Sequence, residues 1–290
     1  MWVRNIPFFS IVIPSLNEEK YIPNLLEDLA AQSYTDFEVI HVDGNSEDKT
    51  VEVVSVFKNK LSLTTISTEV RNVSHQRNLG IDAAKGEWII FMDSDNRLPT
   101  YFLDGVRYQL AKKPNLDVFT TWIMVEEEEA LDSAICHFIN LGFELYKQLG
   151  REAALGALIG ARTMVAKELR FDETQKVYED AYFVQQASKK GYNFEVIKEP
   201  RYYFSLRRLR TEGKLKMARM VAVMSIQYIQ GKSFEKNDYG YVMKGGSYYA
   251  HANESVTLFK SLQNFLKRAP EHQLKQIQDV LKKIRDYVDV

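Results

Sequence analysis

Two patterns of apolar and polar positions alternate along the chain, one typical of strands and the other typical of helices. Short apolar runs rich in β-branched and aromatic residues predict strands, and apolar residues spaced three or four apart predict amphipathic helices. Through residue 92 the two patterns alternate, with strands predicted at 8–14, 37–42, 63–67 and 86–92 and helices at 21–32, 48–57 and 74–84. This alternation predicts an α/β, Rossmann-like fold, with a mostly parallel central sheet flanked by helices.

The second half of the chain has a less regular pattern. Its apolar spacing predicts helices at 131–149 and 178–190 and a strand at 194–197. Beyond residue 211 the β signals thin out, and the remaining pattern predicts helices at 214–230, 255–267 and 273–288. We therefore expect a first domain over residues 1–212, with halves at 1–98 and 99–212, and a helical C-terminal appendage over 213–290.

Composition and charge narrow the class of protein. The chain has 290 residues, 45% of them hydrophobic, which is enough for a sizeable core. Its formal net charge is −1, so no overall basic field points to a nucleic-acid partner. The single cysteine, Cys136, excludes an intrachain disulfide and a cysteine-rich zinc site, and we expect it to be a buried apolar residue. His41 and His75 have no metal-ligand partner at suitable spacing, and we expect both to be structural.

The sequence carries no export signal and no transmembrane pattern. Its N-terminus lacks a basic region followed by an apolar one, and no uncharged apolar stretch reaches the ~18–20 residues that cross a bilayer. We therefore expect a cytoplasmic protein. Met217, Met220 and Met224 recur at helical spacing beside basic residues, which fits either a core stripe or a helix in peripheral contact with the inner face of the membrane.

Acidic residues follow two of the predicted strands. Asp93 and Asp95 come just after the strand that ends at residue 92, and Asp43 comes just after the strand at 37–42. Because the carboxyl ends of parallel strands share one edge of a sheet, these acids and the segment at Pro14 should line one crevice. Two carboxylates two residues apart suit Mg²⁺ or Mn²⁺, which often carry substrate phosphates. Acids that merely cap a loop are the alternative.

Six segments, in this order, carry a resemblance to a known family. They are residues 10–18 (SIVIPSLNE), 32–40 (QSYTDFEVI), 42–50 (VDGNSEDKT), 76–80 (QRNLG), 86–95 (GEWIIFMDSD) and 179–180 (ED). Together they resemble a family 2 glycosyltransferase with the GT-A fold. The resemblance covers residues 8–212, and it implies a nucleotide-binding half at 1–98 and an acceptor half at 99–212.

The resemblance implies a site for a nucleotide diphosphate-sugar donor. Asp43 would accept a hydrogen bond from an edge of the base. The loop that would wrap the base and ribose comprises Pro14, Ser15, Leu16 and Glu18. A residue that closes a local turn is the alternative for Asp43, and an acid favoured by a helix N-terminus is the alternative for Glu18.

The resemblance also implies contacts to the donor phosphates. Arg77 would contact the pyrophosphate, since a guanidinium makes charge-assisted bonds to phosphate oxygens; a solvated helix arginine is the alternative. Asp95 would bind Mn²⁺ or Mg²⁺ directly, and Asp93 would lie nearer the ribose or reach the cation through water. Ser94, between them, would lie on the substrate side. The cation would stabilise charge on the departing diphosphate.

Two further pairs of residues complete the implied site. Asp180 matches the family's general base, which removes the proton of an acceptor hydroxyl in an inverting transfer, and Glu179 would line the site beside it. Two acids favoured by a helix N-terminus are the alternative. Arg207 and Arg208 resemble a basic motif that closes over donor phosphates, or else form a solvated basic patch. No tryptophan follows them, which puts processive polymerisation in doubt.

The function expected from these residues is a metal-dependent, inverting transfer of a sugar from a UDP- or GDP-sugar. The acceptor would be a hydroxyl of a saccharide or of a lipid-linked molecule, in glycan or cell-surface polysaccharide biosynthesis. Two alternatives remain open. One is a phosphotransferase or phosphatase that uses the Asp-x-Asp pair, and the other is a non-catalytic protein that binds nucleotide sugars.

Overall fold

The computed structural model describes residues 6–126, 130–148, 154, 156–175 and 178–207. Its strands are β1 (Phe9–Ser15), β2 (Phe37–Asp43), β3 (Leu63–Ser67), β4 (Trp88–Met92), β5 (Val118–Met124), β6 (Leu158–Arg162) and β7 (Phe194–Tyr203). Its helices are α1 (Ile22–Ala30), α2 (Thr50–Ser55), α3 (Val73–Ala83), α4 (Phe102–Lys112), α5 (Ala130–Gln148), α6 (Thr163–Leu169) and α7 (Glu179–Lys189). A 3₁₀ turn, Val56–Asn59, follows α2.

The strands of the described residues form one sheet in the order β3-β2-β1-β4-β6-β5-β7. β6 runs antiparallel to both of its neighbours, and the other adjacent pairs are parallel. Because β6 is antiparallel to both β4 and β5, β5 runs in the same direction as β1 to β4. β7 is parallel to β5 and therefore also runs in that direction. The carboxyl ends of all these strands except β6 therefore lie at one edge of the sheet, where ligands bind in open α/β folds.

Apolar side chains fill both faces of the sheet. β1 and β4 are buried along their whole length. Ile11 and Ile13 of β1 pack into one core with Leu25 and Leu26 of α1, whereas Val12 packs into the core on the opposite face. Strands that are buried on both faces read as continuous apolar runs, which is why the sequence predicts β1 and β4.

α3 approaches β1 closely, and this approach positions the site. A Cβ atom at Gly80 would lie only 2.2 Å from Val12 Cγ1, so this contact requires glycine. One turn earlier, Gln76 Nε2 donates to the carbonyl oxygens of Ser15 at 2.8 Å and Val42 at 2.9 Å. α3 thereby brings Gln76 to the carboxyl ends of β1 and β2.

The elements predicted through residue 92 are confirmed, with ends shifted by one or two residues and the helix at 48–57 divided into α2 and the 3₁₀ turn. The predicted helices at 131–149 and 178–190 correspond to α5 and α7, and β7 extends the predicted strand at 194–197 to Tyr203. The sequence pattern does not predict α4, β5, β6 or α6. Cys136 is buried, as expected, and burial raises the pKa of its thiol to about 11.

The expected C-terminal appendage lies outside the described residues, as do the domain boundary at 212/213 and the methionine stripe at 217–224. The described residues up to Leu206 belong to one compact unit. Within the part of the chain that the structure describes, no helix is long and apolar enough to span a bilayer.

Candidate active site

The ends of β1, β2 and β4 meet at the carboxyl edge of the sheet. Ser15, the last residue of β1, is the register partner of Asp43, the last residue of β2. β4 pairs with β1 on its other side and ends at Met92, so Asp93 follows at the same edge. The three segments predicted to line one crevice, at Pro14, Asp43 and Asp93, therefore lie at the ends of neighbouring strands.

The residues expected to wrap a base and ribose form the first loop of this edge. Pro14 and Ser15 end β1 and are buried, and Leu16 is half-buried. Glu18 is buried, and its backbone N–H donates to Thr50 Oγ1 at 2.8 Å. The loop is thus anchored to the start of α2, and its contact with a nucleotide stays a prediction.

A second loop, after β2, is tied to the first. Asn17 N donates to Ser46 Oγ at 2.9 Å, and Glu47 N donates to Asn17 Oδ1 at 2.7 Å. Asn17 and Asn45 both have left-handed backbone, with φ of 56° and 64°. Asparagine is among the few residues that adopt this conformation readily. The two loops therefore form one hydrogen-bonded unit beyond β1 and β2.

The Asp43 carboxylate is buried and closes a local turn. Its Oδ1 accepts from Ser46 Oγ at 2.6 Å, and its Oδ2 accepts from Ser46 N at 3.0 Å. Ser15 Oγ donates to Oδ1 at 3.5 Å. The turn alternative thus describes what Asp43 does in this structure. A contact with a base remains compatible with it, because a carboxylate can accept about four hydrogen bonds.

Asp93 and Asp95 lie just beyond β4, on either side of the buried Ser94. The loop that carries them is anchored to the residue before β6. Asp93 N donates to Ala157 O at 3.2 Å, and the buried side-chain amide of Asn96 donates to the same oxygen. These bonds fix the position of the acid pair relative to β4 and β6.

Arg77 is buried behind the acids, with 2% of its side chain exposed. Its Nη1 donates to Glu179 Oε1 at 2.9 Å, and its Nη2 donates to Asp93 Oδ1 at 3.3 Å and to Gly156 O at 3.0 Å. The guanidinium carbon lies 5.1 Å from the centre of the Phe171 ring. Arg77 therefore lies in the wall of the site and links three segments of the chain, and its expected contact with a donor pyrophosphate stays a prediction.

Asp180, in the first turn of α7, faces the same loop as Arg77. Gly156 N donates to its Oδ2 and Ala181 N donates to its Oδ1, both at 2.6 Å. Burial raises the pKa of Asp180 to about 7, and the charge of Glu179 adds to the rise. Tyr178, which precedes this pair, has φ of 61°. Such left-handed backbone is uncommon for an aromatic residue, and strained positions of this kind cluster at functional sites.

Negative charge is concentrated around Arg77. Glu179 and Asp180 lie within its electrostatic reach, and so does Asp93, which in turn interacts with Asp95. The Asp93 side chain is 41% exposed. Burial among the neighbouring atoms raises the pKa of Asp93 to about 6; Arg77 opposes the rise and Asp95 adds to it. Three carboxyl groups thus share one guanidinium, and the fourth, that of Asp95, interacts with Asp93.

This concentration of acids suits a divalent cation. Among the described residues, no group of three or more His, Cys, Asp or Glu side chains forms a ready metal cluster. Mg²⁺, however, is commonly held by one or two carboxylates together with substrate phosphates rather than by an all-protein cage. Asp93 and Asp95 fit that arrangement, and the expected role of Asp95 as the direct ligand stays a prediction.

Three consecutive residues of α3 contact three different parts of the site. Gln76 holds the ends of β1 and β2, and Arg77 holds the acids. Asn78 Nδ2 donates to Phe171 O, and its Oδ1 accepts from Phe171 N, both at 2.9 Å. Neighbouring side chains on a helix point about 100° apart, so adjacent residues can serve separate partners. The QRNLG segment at 76–80 therefore holds the site together.

The two predicted arginines lie at or beyond the end of the described ranges. Arg207 is half-buried and is the last described residue, and Arg208 lies beyond the described ranges. Their closure over donor phosphates stays a prediction. His75 Nδ1 pairs with Glu173 at 3.0 Å, which fits the structural role expected for it.

The structure adds two residues that the sequence analysis does not single out. Gly156 accepts from Arg77 and donates to Asp180, so it joins the two sides of the site. No sequence signal marks it, because its role depends on contacts with residues far away in the chain. Gln76 lies inside the 76–80 segment, so the motif itself could have identified it.

Comparison with known proteins adds a family match and several relatives. The model of glycosyl transferase family 2 matches residues 10–170, more than half of the chain. The poly(ribitol-phosphate) beta-N-acetylglucosaminyltransferase TarS of Staphylococcus aureus is 40% identical over 92 residues, 30% of this chain and 16% of TarS. A PGL/p-HBAD biosynthesis glycosyltransferase of Mycobacterium bovis is 37% identical over 95 residues, 32% of this chain and 37% of the relative. The chain thus matches less than two fifths of either relative.

Solved structures resemble the fold over more of the chain. S. aureus TarS 1–349 in complex with UDP-GlcNAc has a TM-score of 0.55 and 22% identity, covering 94% of this chain and 79% of that one. The mannosyltransferase PcManGT from Pyrobaculum calidifontis, in complex with GDP-Man and Mn²⁺, has a TM-score of 0.58 and 19% identity, covering 76% and 65%. The expected fold class is confirmed, since the mostly parallel sheet with flanking helices matches GT-A glycosyltransferases.

Proposed function

Since this chain belongs to glycosyl transferase family 2 and is a glycosyltransferase, we propose that it transfers a sugar from a nucleotide diphosphate-sugar to a hydroxyl acceptor, with inversion at the anomeric carbon. UDP and GDP are the nucleotides proposed. The observation that carries the proposal is the gathering of Asp93 and Asp180 around Arg77, with Asp95 beside Asp93. Such a transfer needs both an acid pair for a cation and an acid that accepts a proton.

The donor is held at the carboxyl edge of β1, β2 and β4. Asp43 accepts a hydrogen bond from the base, and the loop from Pro14 to Glu18 borders the base and ribose. Asp95 holds Mn²⁺ or Mg²⁺ directly, with Asp93 beside it and Ser94 between them on the substrate side. The bound cation supplies Lewis-acid stabilisation of the leaving diphosphate. Arg77 keeps Asp93 in place through its Nη2 bond.

Asp180 accepts the proton of the attacking hydroxyl. Each oxygen of its carboxylate accepts one backbone N–H, so each retains a lone pair for the acceptor. A base works best when its pKa lies near the operating pH, and burial brings the pKa of Asp180 to about 7. Glu179 is bound by Arg77 Nη1, which leaves Asp180 as the acid for proton transfer.

For the acceptor, we propose a chemical class rather than a single compound. TarS is a poly(ribitol-phosphate) N-acetylglucosaminyltransferase, and the M. bovis relative acts in PGL/p-HBAD biosynthesis. These names support a saccharide or lipid-linked acceptor in glycan or cell-surface polysaccharide biosynthesis. The cytoplasmic location and the peripheral membrane contact expected from the sequence stay predictions.

A binding panel tests the donor site. UDP, GDP, CDP and dTDP are titrated into the protein by calorimetry, each with and without Mn²⁺. At least one diphosphate should bind far more tightly with the cation, and at 100 times its Kd it should add about 2.7 kcal/mol to the free energy of unfolding. Asp95→Ala should lose the dependence on Mn²⁺.

The matched control for this panel is Asp82→Ala. Asp82 lies on α3 in an exposed pair with Arg170, and such surface pairs contribute little to stability. The control should bind as the wild type does. If no diphosphate binds under any condition, the donor site is wrong, and release of phosphate from a simple phosphomonoester should then be measured as a test of the phosphotransferase alternative.

Gly156→Ala tests the loop between Arg77 and Asp180. A Cβ atom at Gly156 would lie 2.9 Å from Arg77 Nη2 and 3.1 Å from Asp180 Oδ2, so both side chains must move. A displacement of about 1 Å at a reacting group can lower the rate on the order of 10²-fold, so the smaller shifts required here should lower kcat by less than that factor. Gly142→Ala in α5 is the control, because its Cβ meets no atom within 4 Å and activity should be retained.

A further inference from the structure

The hydrogen-bonding capacity of Asp43 is almost fully used within the protein. A carboxylate offers about four acceptor positions, two on each oxygen. Oδ1 accepts from Ser46 Oγ at 2.6 Å and from Ser15 Oγ at 3.5 Å. Oδ2 accepts from Ser46 N at 3.0 Å. One position therefore remains, and it lies on Oδ2.

The direction of the Ser15 hydroxyl depends on His41. His41 of β2 is completely buried, and its Nε2 lies 2.7 Å from Ser15 Oγ. Its Nδ1 has no hydrogen-bond partner among the described residues. If Nδ1 carried the proton, a buried N–H would be left unpaired. If Nε2 carries the proton, Nδ1 is left with an unpaired lone pair. An unpaired buried acceptor costs less free energy than an unpaired buried donor, so the second tautomer is favoured.

The Nε2–H tautomer determines what Ser15 can do. An imidazole N–H that donates to Ser15 Oγ leaves the single Ser15 proton free to point to Asp43 Oδ1, which gives a chain of bonds from His41 through Ser15 to Asp43. The imidazole is neutral at neutral pH, because burial lowers the pKa of His41 to about 4. His41 is therefore more than the satisfied structural residue expected from the sequence.

The position of His41 supports a functional reason for its presence. Side chains alternate along a strand, so Val39, His41 and Asp43 point to one face of β2. Ile13, the register partner of His41 on β1, and Val39 belong to the apolar core on that face. An aliphatic side chain would suit this position without burying an unpaired nitrogen. The imidazole is the unusual choice, and it makes a hydrogen bond with Ser15, the register partner of Asp43.

We propose that Asp43 reads an imide base, uracil or thymine, through the single acceptor position left on Oδ2, and that His41 and Ser15 enforce this choice by occupying Oδ1. The inference rests on the proposed function, since it takes the donor base to lie against Asp43. Uracil and thymine present one N–H, at N3, which one acceptor position satisfies. Guanine presents N1–H and N2–H side by side and needs both carboxylate oxygens, whereas cytosine presents an acceptor at N3 and a donor only at its 4-amino group.

His41 is a positioning residue in this arrangement, because it acts on Asp43 through Ser15. The wild type should bind UDP and dTDP at least about tenfold more tightly than GDP, since an unpaired polar group of a ligand costs on the order of a factor of ten. Removing the bond to Oδ1 should open that oxygen to the second donor of guanine. The ratio of UDP to GDP affinity, rather than affinity alone, is thus the diagnostic quantity.

Three variants test the inference by calorimetry with UDP, dTDP, GDP and CDP in the presence of Mn²⁺. His41→Leu removes the donor to Ser15, and Ser15→Ala removes the donor to Asp43; each should narrow the ratio of UDP to GDP affinity by about tenfold. His41→Gln can place its amide near the position of Nε2, and it should keep most of the wild-type ratio. Thermal unfolding checks that each variant is folded, and Ser15→Ala carries the test if His41→Leu does not fold.

Two results would overturn the inference. A wild type that binds GDP as tightly as UDP contradicts it while leaving the proposed function intact, since a nucleotide diphosphate still binds. A ratio that stays unchanged in both His41→Leu and Ser15→Ala also contradicts it. Binding of none of the four diphosphates to the wild type would overturn the proposed function together with this inference.

Discussion

Asp180→Asn is expected to lower kcat on the order of 10²–10⁴-fold, because it removes the base that accepts the proton of the acceptor hydroxyl. The asparagine side chain keeps one of the two acceptor atoms that Gly156 N and Ala181 N contact, so the start of α7 should stay in place. Binding of the nucleotide diphosphate with Mn²⁺ should therefore change little. Initial rates at saturating donor, together with calorimetry of the diphosphate, measure both quantities.

The same residue determines the expected dependence of kcat/KM on pH. A general base acts in its deprotonated form, and burial raises the pKa of Asp180 to about 7. As the pH falls below about 7, Asp180 becomes protonated and kcat/KM should fall by about tenfold per pH unit. Asp180→Asn should abolish this acid limb. A variant that kept wild-type kcat, or one whose acid limb still began near pH 7 rather than near the pKa of about 6 of Asp93, would assign the proton transfer to another group.

Arg77→Met is expected to lower both stability and activity. Glu179 is 5% exposed and lies 2.9 Å from Arg77 Nη1, so removing the guanidinium leaves a buried carboxylate without its cation. Breaking a buried ion pair by removing one partner costs about 3–5 kcal/mol, a large fraction of the roughly 5–15 kcal/mol that stabilises a typical domain. Urea unfolding measures this loss. Arg77→Lys keeps the charge but not the fork that binds three partners, and it should remain folded with reduced kcat.

Two further variants separate the structural effect of Arg77 from its effect on the site. Arg77→Met combined with Glu179→Gln removes the unpaired buried charge, so it should recover part of the lost stability while activity stays low. Arg170→Lys is the control, since Arg170 forms an exposed pair with Asp82 and should tolerate the change. If Arg77→Met kept wild-type stability and kcat, Arg77 would not be holding Asp93 and Glu179 in place.

The parts of the fold that the sequence predicts are those whose elements carry their own pattern. β1 and β4 are continuous apolar runs because both faces are buried. α4 and β6 escape prediction because each contains a glycine that weakens its local signal. These glycines serve tertiary contacts: a Cβ at Gly160 would lie 2.1 Å from the Phe119 ring, and one at Gly105 would lie 2.9 Å from Pro200. Each glycine is required by a contact with a residue far away in the chain, and the local sequence pattern does not show that contact.

The candidate site also has features that the sequence predicts and features that it does not. Asp43, Asp93 and Asp95 follow strands, and the shared edge of a parallel sheet is enough to predict that they converge. The partners of Arg77 could not be predicted, because Glu179 lies 102 residues away in the chain. His41 reads as a structural histidine until its 2.7 Å contact with Ser15 is known. The sequence alone therefore predicts which acidic residues lie together at the strand ends. The hydrogen bonds that orient the side chains of the site are known only from the structure.

The most direct test of the central claim is the anomeric configuration of the product. The nucleotide diphosphate-sugar whose diphosphate binds in the calorimetric panel is supplied in its α form with Mn²⁺ and an alcohol acceptor, and proton NMR follows the reaction from its first minutes. The account predicts a β-linked product whose formation is lost in Asp180→Asn. An α-linked product, or turnover that Asp180→Asn leaves unchanged, would contradict an inverting transfer in which Asp180 is the base.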